Sequence, residues 1–173
     1  MNTPNCSYEF YTIHTDSISS ESWENGSQSK FTSHLFRPLK DVVQVSILNA
    51  NIDVSGSNVV YLSVEQLASQ FNETTGVIST SGDSVVVSDP STKDRTRTAI
   101  ARFNVSNSGR TQYNQQDFST QTQYVTPIRK LDRITCELLD EDGATLSVNS
   151  NTFITYRITC LRDNIPPKKK IIK

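Results

Sequence analysis

Histidine and cysteine are scarce in this 173-residue chain: two of the first, His14 and His34, and three of the second, Cys6, Cys136 and Cys160. Zinc needs three or four clustered ligands, and five scattered candidates do not supply them. There is no Gly-x-Ser-x-Gly elbow, phosphate loop or dinucleotide fingerprint. A metal enzyme on a β-sandwich would need inward histidines and a carboxylate. The expectation is therefore neither catalysis nor a cofactor. An odd, sparse set of cysteines argues against a disulfide framework and for a reducing compartment. No apolar run approaches the ~20 residues of a membrane-spanning helix. The start, MNTPNCSYEF, lacks the basic and apolar regions of a secretory signal. The Asn-x-Ser/Thr triplets at Asn5, Asn25, Asn72 and Asn104 accordingly read as chance. Neither sign of charge dominates, with 17 basic against 18 acidic residues. No long-range pull toward nucleic acid or an anionic membrane is expected from that balance.

Helical periodicity is also poor. The best candidate is SVEQLASQF, where Val64, Leu67, Ala68 and Phe71 share one helical face. The rest reads as strands cut by polar loops. YEFYTIH (8–14) sets Tyr8, Phe10, Thr12 and His14 on one side, Tyr11 and Ile13 on the other. FTSHLF (31–36) is expected to stop before Pro38, which cannot donate to a ladder. DVVQVSILNANIDV (41–54) carries two apolar sets, Val43/Val45/Ile47 and Val42/Leu48/Ala50/Ile52. It is either covered on both faces or bent between two packings. NVVYLSVEQ (58–66) follows a turn. Residues 72–97 read mostly as loop, with a weak strand at Ser84–Ser88. TAIARFNVS (98–106) turns Ala99, Ala101, Phe103 and Val105 inward, and 107–123 is long and polar. Two more alternating strands lie near 131–138 and 152–161. About eight strands with almost no helix imply an antiparallel sandwich or barrel, in one domain.

IRKLDRITCELLDEDGATL (128–146) holds an acidic run ending at Gly143. As a calcium loop starting at Asp140 it would need glycine at Thr145 and glutamate at Asn151. A turn fits better, with Asp140 opening it and Gly143 supplying a left-handed residue. The strand before it turns Ile134, Cys136 and Leu138 one way. Its later partner does the same with Ile154, Tyr156, Ile158 and Cys160. Cys136 and Cys160 thus fall on inward faces, as a bridge or as free thiols packing like small hydrophobes. Candidate interface residues stand out against this background. Trp23 lies alone in a Ser-rich loop, a core plug or an interface marker. Arg95 and Arg97 sit in the basic stretch KDRTRTAIAR, a solvated loop or an intersubunit contact. Lys168, Lys169 and Lys170 form a basic tail.

The order of elements resembles the small single jelly-roll minor capsid proteins of large eukaryotic double-stranded DNA viruses, most closely the penton members that close the vertices. FYTIHTDSISS leads to KFTSHLFRPLKDVVQVSILNANI, in the family's order of a strand, a spacer and a Val-x-x-Val-x-Leu strand. VVYLSVEQL and AIARFNV stand where the next two family strands do. The best match is Pro127, Leu131, Asp132, Ile134, Cys136, Leu138, Asp140, Asp142 and Gly143, then Phe153 and Ile158. The resemblance covers about 8–161. It departs at 53–58 and 107–123, loops that are Pro-rich in the family. It implies an all-β single jelly-roll sandwich over 8–163, after an N-terminal segment (1–7) and before a basic tail (164–173). It also implies a virion protein, assembled in the host cytoplasm, that forms a homopentamer at the capsid vertex. Its neighbours would be the major capsid protein and other minor capsid proteins. No specific nucleic-acid binding is expected, and the tail would touch an inner membrane or a capsid neighbour. A cement protein beneath the shell and a non-viral sandwich binding module remain the alternatives.

Overall fold

The computed structural model describes residues 7–18, 22–23, 29–68, 78–81, 84–87, 96, 98–106, 110–114 and 120–162, with backbone alone at 22–23, 78–81, 84–87 and 120. The strands are β1 (Ser7–Asp16), β2 (Ser22–Trp23), β3 (Lys30–Leu39), β4 (Val42–Asp53), β5 (Val59–Val64), β6 (Ile78–Ser81), β7 (Ser84–Val87), β8 (Ala101–Asn104), β9 (Arg110–Asn114), β10 (Thr120–Ile128), β11 (Leu131–Leu139) and β12 (Phe153–Arg162). One sheet runs β1-β12-β4-β10, with β9 extending the β10 side of β4; the other runs β2-β3-β11-β5-β8. All pairings are antiparallel.

Set aside the short β2 and β9 and the separate β6–β7 hairpin, and eight strands remain. The first sheet takes them in the order first, eighth, third, sixth. The second takes second, seventh, fourth, fifth. That interleaving is a single jelly roll, two Greek keys wrapped into one sandwich. Two of the crossings between sheets are short. Lys40 and Asp41 link β3 to β4, and Arg129 and Lys130 link β10 to β11. Asp41 takes φ 51° to make its corner, a conformation that aspartate tolerates better than most side chains. Its carbonyl accepts a hydrogen bond from Leu161 N at 2.9 Å, which fastens the end of β12 to the link.

The core lies between the sheets. Leu131, Ile134, Cys136 and Leu138 of β11 face Ile154, Tyr156 and Ile158 of β12, all of them buried. Each fully buried Leu or Ile contributes roughly 1.5–3 kcal/mol. The two apolar sets on β4 have one explanation. The register of β4 against β12 slips twice, between Thr155 and Tyr156 and between Thr159 and Cys160. Each bulge inserts a residue and reverses the inward parity. Val42, then Val45 and Ile47, then Ala50 and Ile52 are therefore all buried against one core, while Val43 and Leu48 are the residues taken up at the slips.

Four expectations need correction. β3 does not stop at Pro38 but runs to Leu39. Its pairing with β11 slips between Leu131 and Arg133, so Pro38 occupies the irregular, exposed part of an edge, where no donor is needed. SVEQLASQF forms only a 3-10 turn at Glu65–Leu67, and Phe71 lies outside the described residues. Gln66 explains the arrest. Its Oε1 accepts from Thr135 N at 2.7 Å and its Nε2 donates to Thr135 Oγ1 at 3.1 Å. The side-chain amide continues the ladder where β5 ends, and this holds the turn against β11. Stretches expected to be loop contain β2, β6, β9 and the start of β10, while the weak strand expected at Ser84–Ser88 is β7. Finally, β11 and β12 are not ladder partners. β11 pairs β3 and β5, and β12 pairs β1 and β4. A jelly roll sends the chain across the sandwich between its last two strands.

Candidate functional site

The acidic run is a corner. Asp140 Oδ1 accepts hydrogen bonds from Asp142 N at 2.9 Å and Ala144 N at 2.8 Å. Asp140 N donates to Ala144 O, and Gly143 N to Asp140 O. Gly143 is buried with φ 82°. The carboxylate best placed for a cation is therefore occupied by backbone donors, while Glu141 and Asp142 project into solvent. Among the described residues no group of three or more His, Cys, Asp and Glu could hold a metal ion.

Of the candidate interface residues, Trp23 is described by its backbone alone, which pairs with Phe31. Arg95, Arg97, Lys168, Lys169 and Lys170 lie outside the described residues.

Two polar clusters hold the sandwich together. In the core, Cys136 Sγ lies 3.1 Å from Tyr156 Oη, so a thiol of one sheet meets a phenol of the other. Thr15 reaches both of them and donates to Ile154 O at 3.3 Å. Burial pushes the Cys136 thiol up to about 11 and the Tyr156 phenol well above its usual range. Both are neutral at physiological pH. Cys136 and Cys160 are free thiols. At one end of the sandwich, Asp53 Oδ2 accepts from Ser150 Oγ at 2.8 Å, and Asn149 N donates to Asp53 O at 2.8 Å. Arg110 donates to Ser150 Oγ at 3.1 Å. Hydrogen bonds from Ser150 and Asn149, with Arg110 nearby, hold Asp53 below the usual carboxylate range. This network ties the β4–β5 and β11–β12 connections together.

The two outer faces differ. On the β1-β12-β4 sheet, registers align outward residues in rows across four strands. One row is Asp16, Phe153, Asn51, Gln112; the next is His14, Thr155, Asn49, Asn114. Then come Thr12, Arg157, Ser46, Gln121 and Phe10, Thr159, Gln44, Gln123. These sixteen positions hold one formal negative charge, Asp16, and one positive, Arg157, with the histidine neutral. The rest are mainly amides and hydroxyls. Asn49 Nδ2 donates to Asn114 Oδ1 at 3.0 Å, and His14 Nδ1 lies 3.0 Å from Thr155 Oγ1. Ser46 and Thr159 belong to these rows yet are only 5% exposed. Apolar groups stand at the rim: Tyr8 is 54% exposed, Phe10 68% and Phe153 39%. On the opposite sheet, the aligned outward residues Lys30, Glu137, Arg133 and Arg102 carry charge.

Sequence reading did not find the amide face. Its signal is the run of amides in 107–123 together with Gln44, Asn49 and Asn51. Those three share a face only once the bulges of β4 are known. No protein-family model matches the chain, and a search of curated proteins finds no match.

Proposed function

We propose that this chain is a structural protein of an icosahedral viral capsid, a homopentamer that closes the five-fold vertices and contacts the surrounding major capsid protein. The observation that carries this reading is the strand order. A single jelly roll with both of its keys complete supports it, as does the sequence resemblance over about 8–161. A cyclic, head-to-tail contact between identical subunits closes into a ring, so five copies need no second protein to fill a vertex. The described part of the chain gives its polar clusters to holding sheets and connections together. In this reading Lys168, Lys169 and Lys170 reach a neighbouring capsid protein or an inner membrane. The protein would join the shell in the host cytoplasm.

The test is the mass of the purified full chain by native mass spectrometry, followed by placement in a virion reconstruction. A pentamer, and density for the chain on the five-fold axis, are expected. A monomer at all concentrations, or density away from that axis, overturns the vertex assignment. Density beneath the shell would select the cement-protein alternative instead.

A further inference from the structure

We infer that the outer face of the β1-β12-β4-β10 sheet is the surface by which one copy of this chain is covered by the next. The inference rests on the self-assembling reading above and specifies its contact surface. Three observations converge on the face. First, its four central rows are poor in charge, with two charged side chains in sixteen positions, as the centres of protein interfaces are. Its formal charges cancel, Asp16 and Asp53 against Arg157 and Arg110, with the Asp53–Arg110 pair one row beyond Asn51 and Gln112, so it offers no surplus to a phosphate backbone or an anionic bilayer. It suits a near-neutral protein surface, and this chain carries a net charge of −1.

Second, its size is right. Four strands spaced ~4.8 Å apart, over about nine steps of ~3.3 Å, make a plane of roughly 570 Å². Side-chain relief raises the accessible area toward the ~800 Å² per partner of a standard interface. Third, the face has the composition of a contact with an apolar rim. Tyr8, Phe10 and Phe153 are exposed on it. Interfaces favour aromatics, which bury large area with few rotamers to fix. Asn51 Oδ1 is a buried acceptor with no partner among the described residues. It lies in the same row as Phe153 and Gln112.

The experiment places a single carboxylate in the face. Gln112 and Gln121 are exposed, so Gln112→Glu and Gln121→Glu leave the fold intact, as circular dichroism and the melting temperature will verify. A carboxylate buried there must shed its water, a cost that Arg110 beside Gln112 or Arg157 in the row of Gln121 does not fully repay. Association, measured by light scattering over a concentration series, should weaken about 100-fold or more. Gln112→Asn and Gln121→Asn keep the face neutral and should associate like the native chain. If the native chain assembles and both Glu variants assemble equally well, the contact lies elsewhere; the face assignment falls and the capsid reading stands. If the native chain is monomeric at every concentration, the self-assembling reading falls and the face assignment with it.

Discussion

The contact between Cys136 and Tyr156 makes a quantitative prediction. It is a hydrogen bond between the two sheets in the middle of the core, at 3.1 Å and with both residues fully buried. Tyr156→Phe removes the phenol oxygen and leaves the ring. It deletes the contacts to the thiol and to Thr15, and should cost about 1–2 kcal/mol. Cys136→Ala removes one buried sulfur and leaves the Tyr156 hydroxyl with Thr15 alone, again about 1–2 kcal/mol. The double variant should lose less than the sum, because removing both partners leaves no stranded polar group. The difference should be about 0.5–1.5 kcal/mol, the usual size for groups in contact. In a chain of this size each kcal/mol moves the melting temperature by about 2–4 °C. Urea unfolding of the four proteins, at matched slopes, supplies the cycle. Strict additivity would show that thiol and phenol do not interact, and would remove the polar link between the sheets.

Three further outcomes follow from the structure. Gly143→Val should destabilise the fold by several kcal/mol, because a β-branched residue at φ 82° is strained. Asp142→Asn should leave the urea midpoint unchanged, because the turn uses only that residue's backbone N–H. A Gly143→Val protein as stable as the native one would show that the corner can be rebuilt. At alkaline pH, Cys136 is held protonated to about 11 in the fold against 9.0 unfolded. Between those values the unfolded chain has lost a proton that the native chain keeps, so stability falls as pH rises from 9 to 11. It is unaffected by this thiol below 9. Two pH units correspond to about 3 kcal/mol. Urea midpoints at stepped pH should show that fall in the native chain and a smaller one in Cys136→Ala; equal slopes would refute it.

The parts of the fold legible in the sequence are those fixed by strict alternation. Ile134, Cys136 and Leu138 face the core as expected, and so do Ile154, Tyr156, Ile158 and Cys160. Ala99, Ala101, Phe103 and Val105 are buried, while Arg102 and Asn104 are exposed. The illegible parts are those where pairing overrides alternation. Two bulges turned the clean inward face of β4 into an apparent double face. β9 escaped notice because Tyr113 is its one large apolar residue, and burial of that ring depends on an edge-to-face contact with Phe103 at 5.1 Å. The partnership of β11 and β12 could not be read from two similar alternating strands. Which sheet each joins is settled by the long connection at 140–152, and alternation carries no record of it. The amide face was hidden for the same reason, since it exists only as a product of register.

The open edge of β1 sharpens the choice between face and edge as the contact surface. β1 runs ten residues, Ser7–Asp16, and among the described strands pairs with β12 alone. An unpaired edge of that length invites addition of another strand. Here the inward row of β1 carries a charge near its start. Glu9 pairs with Arg162 at 3.4 Å and accepts from Tyr11 Oη at 2.6 Å. Arg37 of β3 lies 5.3 Å over the ring of Tyr11. A strand laid alongside β1 would cover the Glu9 carboxylate and the Arg37 guanidinium and take both out of water. The cost of that desolvation opposes the gain from new backbone hydrogen bonds. Inward-facing charge is a common guard on sheet edges. The amide face has fewer charges for its area: most of its donors and acceptors are uncharged amides and hydroxyls, which cost less to bury. The same strand therefore closes its edge to a neighbour and offers its outer face, through Tyr8 and Phe10, to one.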